Sequence, residues 1–194
     1  MQTLKQQIEA LGEPQRSIKR GFYTDDEWEN SWELNALPFQ IEPQSDDWKI
    51  WTIIAPPKAG KTWAGEHWSW EKFLREKSDV LCLFSTPGEV QREFKRFVAL
   101  SEEWTIFRAH STPEDYMQIL QNQASNRTLI CASMNVLRQG VLRGMKPEYV
   151  WADEVEDAIE IVQNFPFTER FLFTQPTKLH PDTIISRAGD GRTY

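Results

Sequence analysis

Residues 55–62 read Ala-Pro-Pro-Lys-Ala-Gly-Lys-Thr, between an apolar run and a helix-like segment. A glycine, a lysine and a hydroxyl residue in succession, after a strand and before a helix, are what a phosphate-binding loop needs. Gly60 lets the backbone approach phosphate oxygens, Lys61 brings a cation to the β and γ positions, and Thr62 offers a hydroxyl to Mg²⁺. The candidate nucleotide cradle is therefore Ala55, Pro56, Pro57, Lys58, Ala59, Gly60, Lys61 and Thr62. Its start departs from the usual pattern. Ala55 stands where a first glycine is usual, and Pro56 and Pro57 have no N–H to donate, so the outer arc should be stiff and poor in donors. In isolation, a plain strand–turn–helix corner would look the same.

A second stretch, Tyr149-Val-Trp-Ala-Asp-Glu154, is an apolar run that ends in two carboxylates. At a strand's carboxyl end, Asp153 is placed to hold Mg²⁺ and Glu154 to orient and deprotonate a lytic water. Solvated acids at a strand end are common. Their position about ninety residues after a phosphate loop makes coincidence a poor account, and two adjacent acids point to hydrolysis. A third stretch, Leu172-Phe-Thr-Gln-Pro-Thr177, delivers Thr174 and Gln175 to the sheet edge where open α/β sheets bind ligands.

The elements that must position these residues follow from texture. Apolar runs at 49–54, 80–85, 105–108, 128–133, 149–153 and 170–174 read as strands. Val90, Phe94, Phe97 and Val98 mark one helix face, and Thr112-Pro113 starts another helix. Apolar strands alternating with helices predict an α/β fold, with a mostly parallel central sheet covered by helices on both faces. Residues 49–194 form this core, and 1–48 pack against it as a helical appendage. In the appendage, Thr3 caps a helix over 3–11, Thr24 and Glu27 form a capping box, and 37–48 is an irregular linker.

Composition narrows the class. With 194 residues, 40% apolar and 26% charged, the chain reads as one soluble globular domain. No run is long enough to cross a membrane, no signal peptide opens the chain, and Cys82 and Cys131 read as buried thiols of a reducing compartment. The net charge of −7 excludes a protein that grips nucleic acid on its own by neutralising phosphates. That charge is concentrated, since residues 1–48 hold ten acids against four bases. Trp63, Trp68 and Trp70, three of nine tryptophans, crowd one segment, more simply explained by a thick core than by an interface.

Together the quoted stretches resemble the ATPase domain of the large terminase subunit, the DNA-packaging motor of tailed phages, over roughly residues 37–177. Val141-Leu-Arg-Gly-Met-Lys-Pro-Glu-Tyr-Val-Trp-Ala-Asp-Glu154 carries the resemblance most specifically, and Gly60-Lys-Thr-Trp-Ala-Gly-Glu-His-Trp68 supports it. The resemblance implies a P-loop NTPase fold using ATP and Mg²⁺, with Gln40 reading adenine. It also implies that Thr174 couples hydrolysis to motion, on a strand lying between the phosphate-loop strand and the Asp-Glu strand. It implies catalytic roles for Lys61 and Glu154, with Thr62 and Asp153 at the metal.

The implied partners are double-stranded DNA within an assembly, a portal protein, a small terminase subunit and a ring of copies. The implied place is the host cytoplasm, transiently on the procapsid portal, away from any membrane. Two departures stand out. Where the family carries a loop arginine, this chain has Pro57 followed by Lys58, so slower hydrolysis or an arginine from a neighbouring subunit is expected. Arg143 is a candidate for that role, although a structural ion pair is the simpler job for it. The family continues into a nuclease domain where this sequence stops soon after the coupling motif, so no nuclease activity is expected of it; it reads as a separately encoded ATPase subunit, beside a separate nuclease subunit, or as a fragment. The competing readings are a helicase-like or loader ATPase acting on DNA or protein without packaging, and a degenerate nucleotide-gated interaction module.

Overall fold

The short apolar runs become the strands of a single sheet. A computed structural model describes residues 2–13, 15–101, 105–107 and 117–187. The strands are Ile50–Ile54 (β1), Val80–Phe84 (β2), Thr105–Phe107 (β3), Met117–Asn122 (β4), Arg127–Ser133 (β5), Tyr149–Asp153 (β6), Arg170–Thr174 (β7) and Thr183–Arg187 (β8). The helices are Leu4–Glu9 (α1), Gln15–Arg20 (α2), Asp25–Asn30 (α3), Trp32–Asn35 (α4), Lys61–Leu74 (α5), Pro87–Leu100 (α6), Met134–Arg138 (α7) and Ala158–Asn164 (α8). The helix expected to start at Thr112-Pro113 lies outside the described residues.

Among the described residues the strand order is β3-β4-β5-β2-β6-β7-β1-β8, with β5 through β8 parallel and the β3 and β4 edge antiparallel. The expected mostly parallel α/β sheet is therefore present, and β7 lies between β1 and β6. Two strands were not anticipated. In β4 the residues facing inward are Gln118, Leu120 and Asn122, a half-polar stripe that apolar alternation does not reveal. β8 is a five-residue segment reached by a turn at Pro181-Asp182.

Side-chain alternation divides the core in two. Trp51, Cys82, Cys131, Trp151 and Leu172 face α5 and α6, while Leu83, Val150, Ala152, Phe171 and Phe173 face α7 and α8. Both cysteines are buried and free. Ile8, Trp28 and Leu34 form a small separate cluster in the N-terminal helices. Thr3 caps α1 through a capping box with Gln6. The linker after α4 is tied into the core, since Phe39 and Trp48 join the larger cluster and Glu42 pairs with Lys72 and Arg170, each at 3.0 Å. Of the crowded tryptophans, Trp68 is buried and Trp63 is half exposed, so the segment serves both core and surface.

Gly65 is a packing requirement. A Cβ there would fall within 2.0 Å of the Trp151 indole, which is fully buried. Gly65→Ala should gain about 1 kcal/mol of helix propensity yet lose stability overall. Overpacking a rigid indole costs roughly 1–3 kcal/mol and can exceed that. Urea denaturation is expected to show a lower midpoint at unchanged slope; a more stable variant would contradict this packing.

The phosphate-loop helix is also clamped to α6 by charge. Glu66 and Glu93 are buried face to face, with Arg96 donating to both carboxylates and Arg92 donating to Glu93 at 2.5 Å. Burial pushes the Glu66 carboxyl up from an ordinary 4.5 to about 8, and the neighbouring Glu93 adds to the rise against the pull of Arg96. Burial also pushes Glu93 upward, but hydrogen bonds from Glu66 and Arg92 and the charges of both arginines hold it below its ordinary value. Glu66 thus keeps a proton that Glu93 accepts. A group raised in the folded state supports folding fully below its unfolded pKa and loses that support as pH rises through its folded pKa. Stability should therefore fall as pH rises from 6 to 8, by no more than about 1.4 kcal/mol per pH unit for a single proton. The loss should largely vanish in Glu66→Gln; thermal melts across that range test this, and an equal slope in the variant would count against the shared proton.

Candidate active site

β1 ends at Ile54, and the chain turns through residues 55–60 before α5 begins at Lys61. Gly60 precedes the helix at φ +82°, and a Cβ there would also lie 2.5 Å from the Gln40 Nε2. Both backbone and space therefore demand glycine. Lys58, at φ +63°, is exposed at the tip of the loop. Lys61 is buried and folds back onto the loop. Its Nζ donates to the carbonyls of Ala55 at 2.9 Å and Pro56 at 3.1 Å.

The ends of β6 and β7 complete the site. Thr62 Oγ1 donates to Asp153 Oδ2 at 2.8 Å, and Thr174 Oγ1 donates to Asp153 Oδ1. Trp151 Nε1 in turn donates to Thr174 Oγ1 at 3.1 Å. This chain of hydrogen bonds runs from the α5-facing core to the loop. Burial pushes the Asp153 carboxyl up, the two threonine hydroxyls pull it down, and Glu154 and Glu93 raise it further, leaving it above its ordinary value.

Glu154 leaves the strand at φ +48°, in the left-handed region that a non-glycine residue adopts at some energetic cost. Its N–H donates to Thr174 O at 2.8 Å, and Ser85 Oγ donates to its carbonyl at 2.8 Å. The backbone is held while the carboxylate stays exposed. Gln175, at φ +54°, donates its N–H to Ile53 O at 2.9 Å, and its Oε1 accepts the Ala55 N–H at 3.2 Å. The strand expected to sense the phosphate therefore also pins the start of the loop.

Gln40 sits behind the loop, nearly fully buried, where an open base-reading amide was expected. Its Oε1 accepts the Leu37 N–H at 2.7 Å, and its Nε2 donates to Gly60 O at 2.9 Å and Ala59 O at 3.4 Å. In this conformation the amide braces the loop. Arg143 is exposed against Gly140, and no ion pair with it occurs among the described residues, contrary to the simpler job expected for it. Asp157, three residues after Glu154, caps α8. It accepts the N–H groups of Ile159 at 2.9 Å and Glu160 at 3.3 Å.

A cavity of about 430 Å³ opens beside the loop, with Pro56, Pro57, Lys61, Glu154, Gln175 and Arg187 on its walls. The cation and the exposed carboxylate picked out from the sequence thus share one space. Sequence reasoning missed Trp151 as a link to Thr174, Ser85 as a support for Glu154, and Arg187. Reading Thr183-Ile-Ile-Ser-Arg187 as a strand would have placed Arg187 at a strand's carboxyl end, with the other candidate residues.

The oxygens of Thr62 and Asp153 suit a hard divalent cation such as Mg²⁺. Asp153 is a buried carboxylate whose direct side-chain partners, among the described residues, are the hydroxyls of Thr62 and Thr174, and a cation would supply the missing positive charge. With a buried lysine, a helix amino end and an exposed carboxylate beside them, the arrangement has parts to bind a polyphosphate and to activate water.

No family model matches the sequence, and neither does any curated protein. Among solved structures, the chain is similar in fold to the large terminase ATPase domain of Thermus phage P74-26. The identity is 13%, over 78% of this chain and 82% of that one, with a TM-score of 0.48. For a mutant of the same domain the identity is 12%, over 78% and 83% of the two chains, with a TM-score of 0.49. For the large terminase of a thermophilic bacteriophage the identity is 15%, over 74% of this chain and 36% of that chain, with a TM-score of 0.43.

Proposed function

We propose that this chain is the ATP-hydrolysing motor domain of a phage-type terminase, powering the translocation of double-stranded DNA into a procapsid. The observation that carries the ATPase reading is the hydrogen bond between Thr62 and Asp153, 91 residues apart, which joins the immediate chain neighbours of Lys61 and Glu154, two residues that wall one cavity. Lys61 exchanges the Ala55 and Pro56 carbonyls for oxygens of the β- and γ-phosphates. The first N–H groups of α5 face the same oxygens. Thr62 and Asp153 would hold Mg²⁺, which when bound would neutralise phosphate charge. Glu154 orients a water and takes its proton.

Thr174 joins Asp153 to the Trp151 indole in the core, so a change at the metal side is passed to β6 and β7. Gln40 holds the loop from behind, and base selection through it requires its bonds to Ala59 and Gly60 to open. In the assembly, copies form a ring on a portal protein, with a small terminase subunit acting on the same DNA.

Pro56 and Pro57 favour the competing reading, a nucleotide-gated module without turnover, because they remove two donors from the loop. Steady-state phosphate release by the pure chain, with Mg²⁺ and with chelator, separates the two. Turnover that needs the metal supports the motor. Tight ATP binding without turnover supports the module. DNA packaging with portal-bearing procapsids then distinguishes a packaging motor from a helicase-like or loader ATPase.

A further inference from the structure

The loop is short of positive groups that face the cavity. Pro56 and Pro57 offer no N–H, and Lys58 is exposed at the tip and is not among the residues that wall the space. Besides Lys61, the cation on those walls is Arg187, the last residue of β8. Edge strand β8 pairs in parallel with β1, and its register sets Arg187 opposite Ile54, the residue immediately before the loop. A buried hydrogen bond from Trp51 Nε1 to Ser186 Oγ, at 2.9 Å, pins that register next to Arg187 itself. A slip of one residue would turn the arginine to the other face of the sheet. Arg187 is exposed, and among the described residues no carboxylate pairs with it. Among the described residues its charge is uncommitted, and it shares a cavity with the cation and the carboxylate of the site.

We propose that Arg187 is a catalytic residue acting in cis on the γ-phosphoryl group of the bound nucleotide. The proposal rests on the ATPase reading above. During hydrolysis the water oxygen bonds to the γ-phosphorus while the bond to the β–γ bridging oxygen breaks. ADP leaves with that electron pair, and Glu154 takes the proton of the water. The charge that spreads over the γ-oxygens is what a guanidinium fork meets with two parallel N–H groups. A lysine at the same place offers only a point charge. ADP lacks the γ-group, so Arg187 discriminates between substrate and product.

The test uses the full chain and its Arg187→Ala and Arg187→Lys variants. Turnover of Mg-ATP is expected to fall about tenfold or more in Arg187→Ala, and less in Arg187→Lys. Affinity for Mg-ADP should stay within about twofold of the parent, and the melting temperature should not move, because an exposed side chain at the end of an edge strand supports little packing. Mixing Arg187→Ala with Lys61→Ala chains should restore no turnover, since neither chain then has both cations in one site. Parental turnover in Arg187→Ala overturns the assignment while leaving the ATPase reading intact. An equal loss of ADP and ATP affinity, or a lowered melting temperature, overturns it in favour of a structural role. Restored turnover in the mixture overturns action in cis. A parent chain without turnover overturns the ATPase reading and this proposal with it.

Discussion

Lys61→Ala is expected to weaken Mg-ATP binding by about 2–4 kcal/mol, the range for removing a charge-assisted partner from a preorganised anion site. The ammonium is buried and already positioned by two loop carbonyls, so little ordering remains to be done when phosphate replaces them. The same geometry sets a counter-term. Without the lysine, the carbonyls of Ala55 and Pro56 lose donors in the free protein as well, so part of the loss falls on the unliganded loop. Titration calorimetry of the parent and variant, with melting temperatures as a control, measures the difference. Unchanged affinity would falsify the cradle.

Glu154→Gln is expected to lower turnover by roughly 10²-fold or more while ATP still binds, the usual consequence of losing a general base. The isosteric amide keeps the backbone in place, because the φ of +48° is held by the bonds to Thr174 and Ser85, which do not involve the side chain. Binding should be no weaker, since Glu154 is one of the charges that raise the Asp153 carboxyl. Single-turnover phosphate release alongside equilibrium binding separates the two steps. A variant that turns over at the parental rate would move the base elsewhere and strengthen the interaction-module reading.

Much of the site could be read from local sequence because its parts are contiguous. Residues 55–62 have the types that a strand-to-helix phosphate turn requires, and the φ of +82° at Gly60 is a local steric demand. Asp153 and Glu154 end a run whose five strand residues are all buried, the pattern of a central parallel strand. Where burial was not apolar, the pattern failed. The inward Gln118 and Asn122 disguised β4, and the turn at Pro181-Asp182 disguised β8.

The sequence by itself determined the alternation of strands and helices, the helix cap at Thr3, and which short stretches carry cations and carboxylates. These depend on side-chain period and on hydrogen bonds within a few residues. Only the tertiary structure decided which distant groups meet. Thr62 reaches Asp153, Trp151 reaches Thr174, Gln40 turns in behind Gly60, and Arg187 comes beside the loop. Each of these depends on strand order and register, which are fixed by pairing between segments up to 135 residues apart, as in the Trp51–Ser186 bond. A local pattern specifies that a segment will be a strand and which face it buries; the choice of neighbour is made by the packing of the whole sheet.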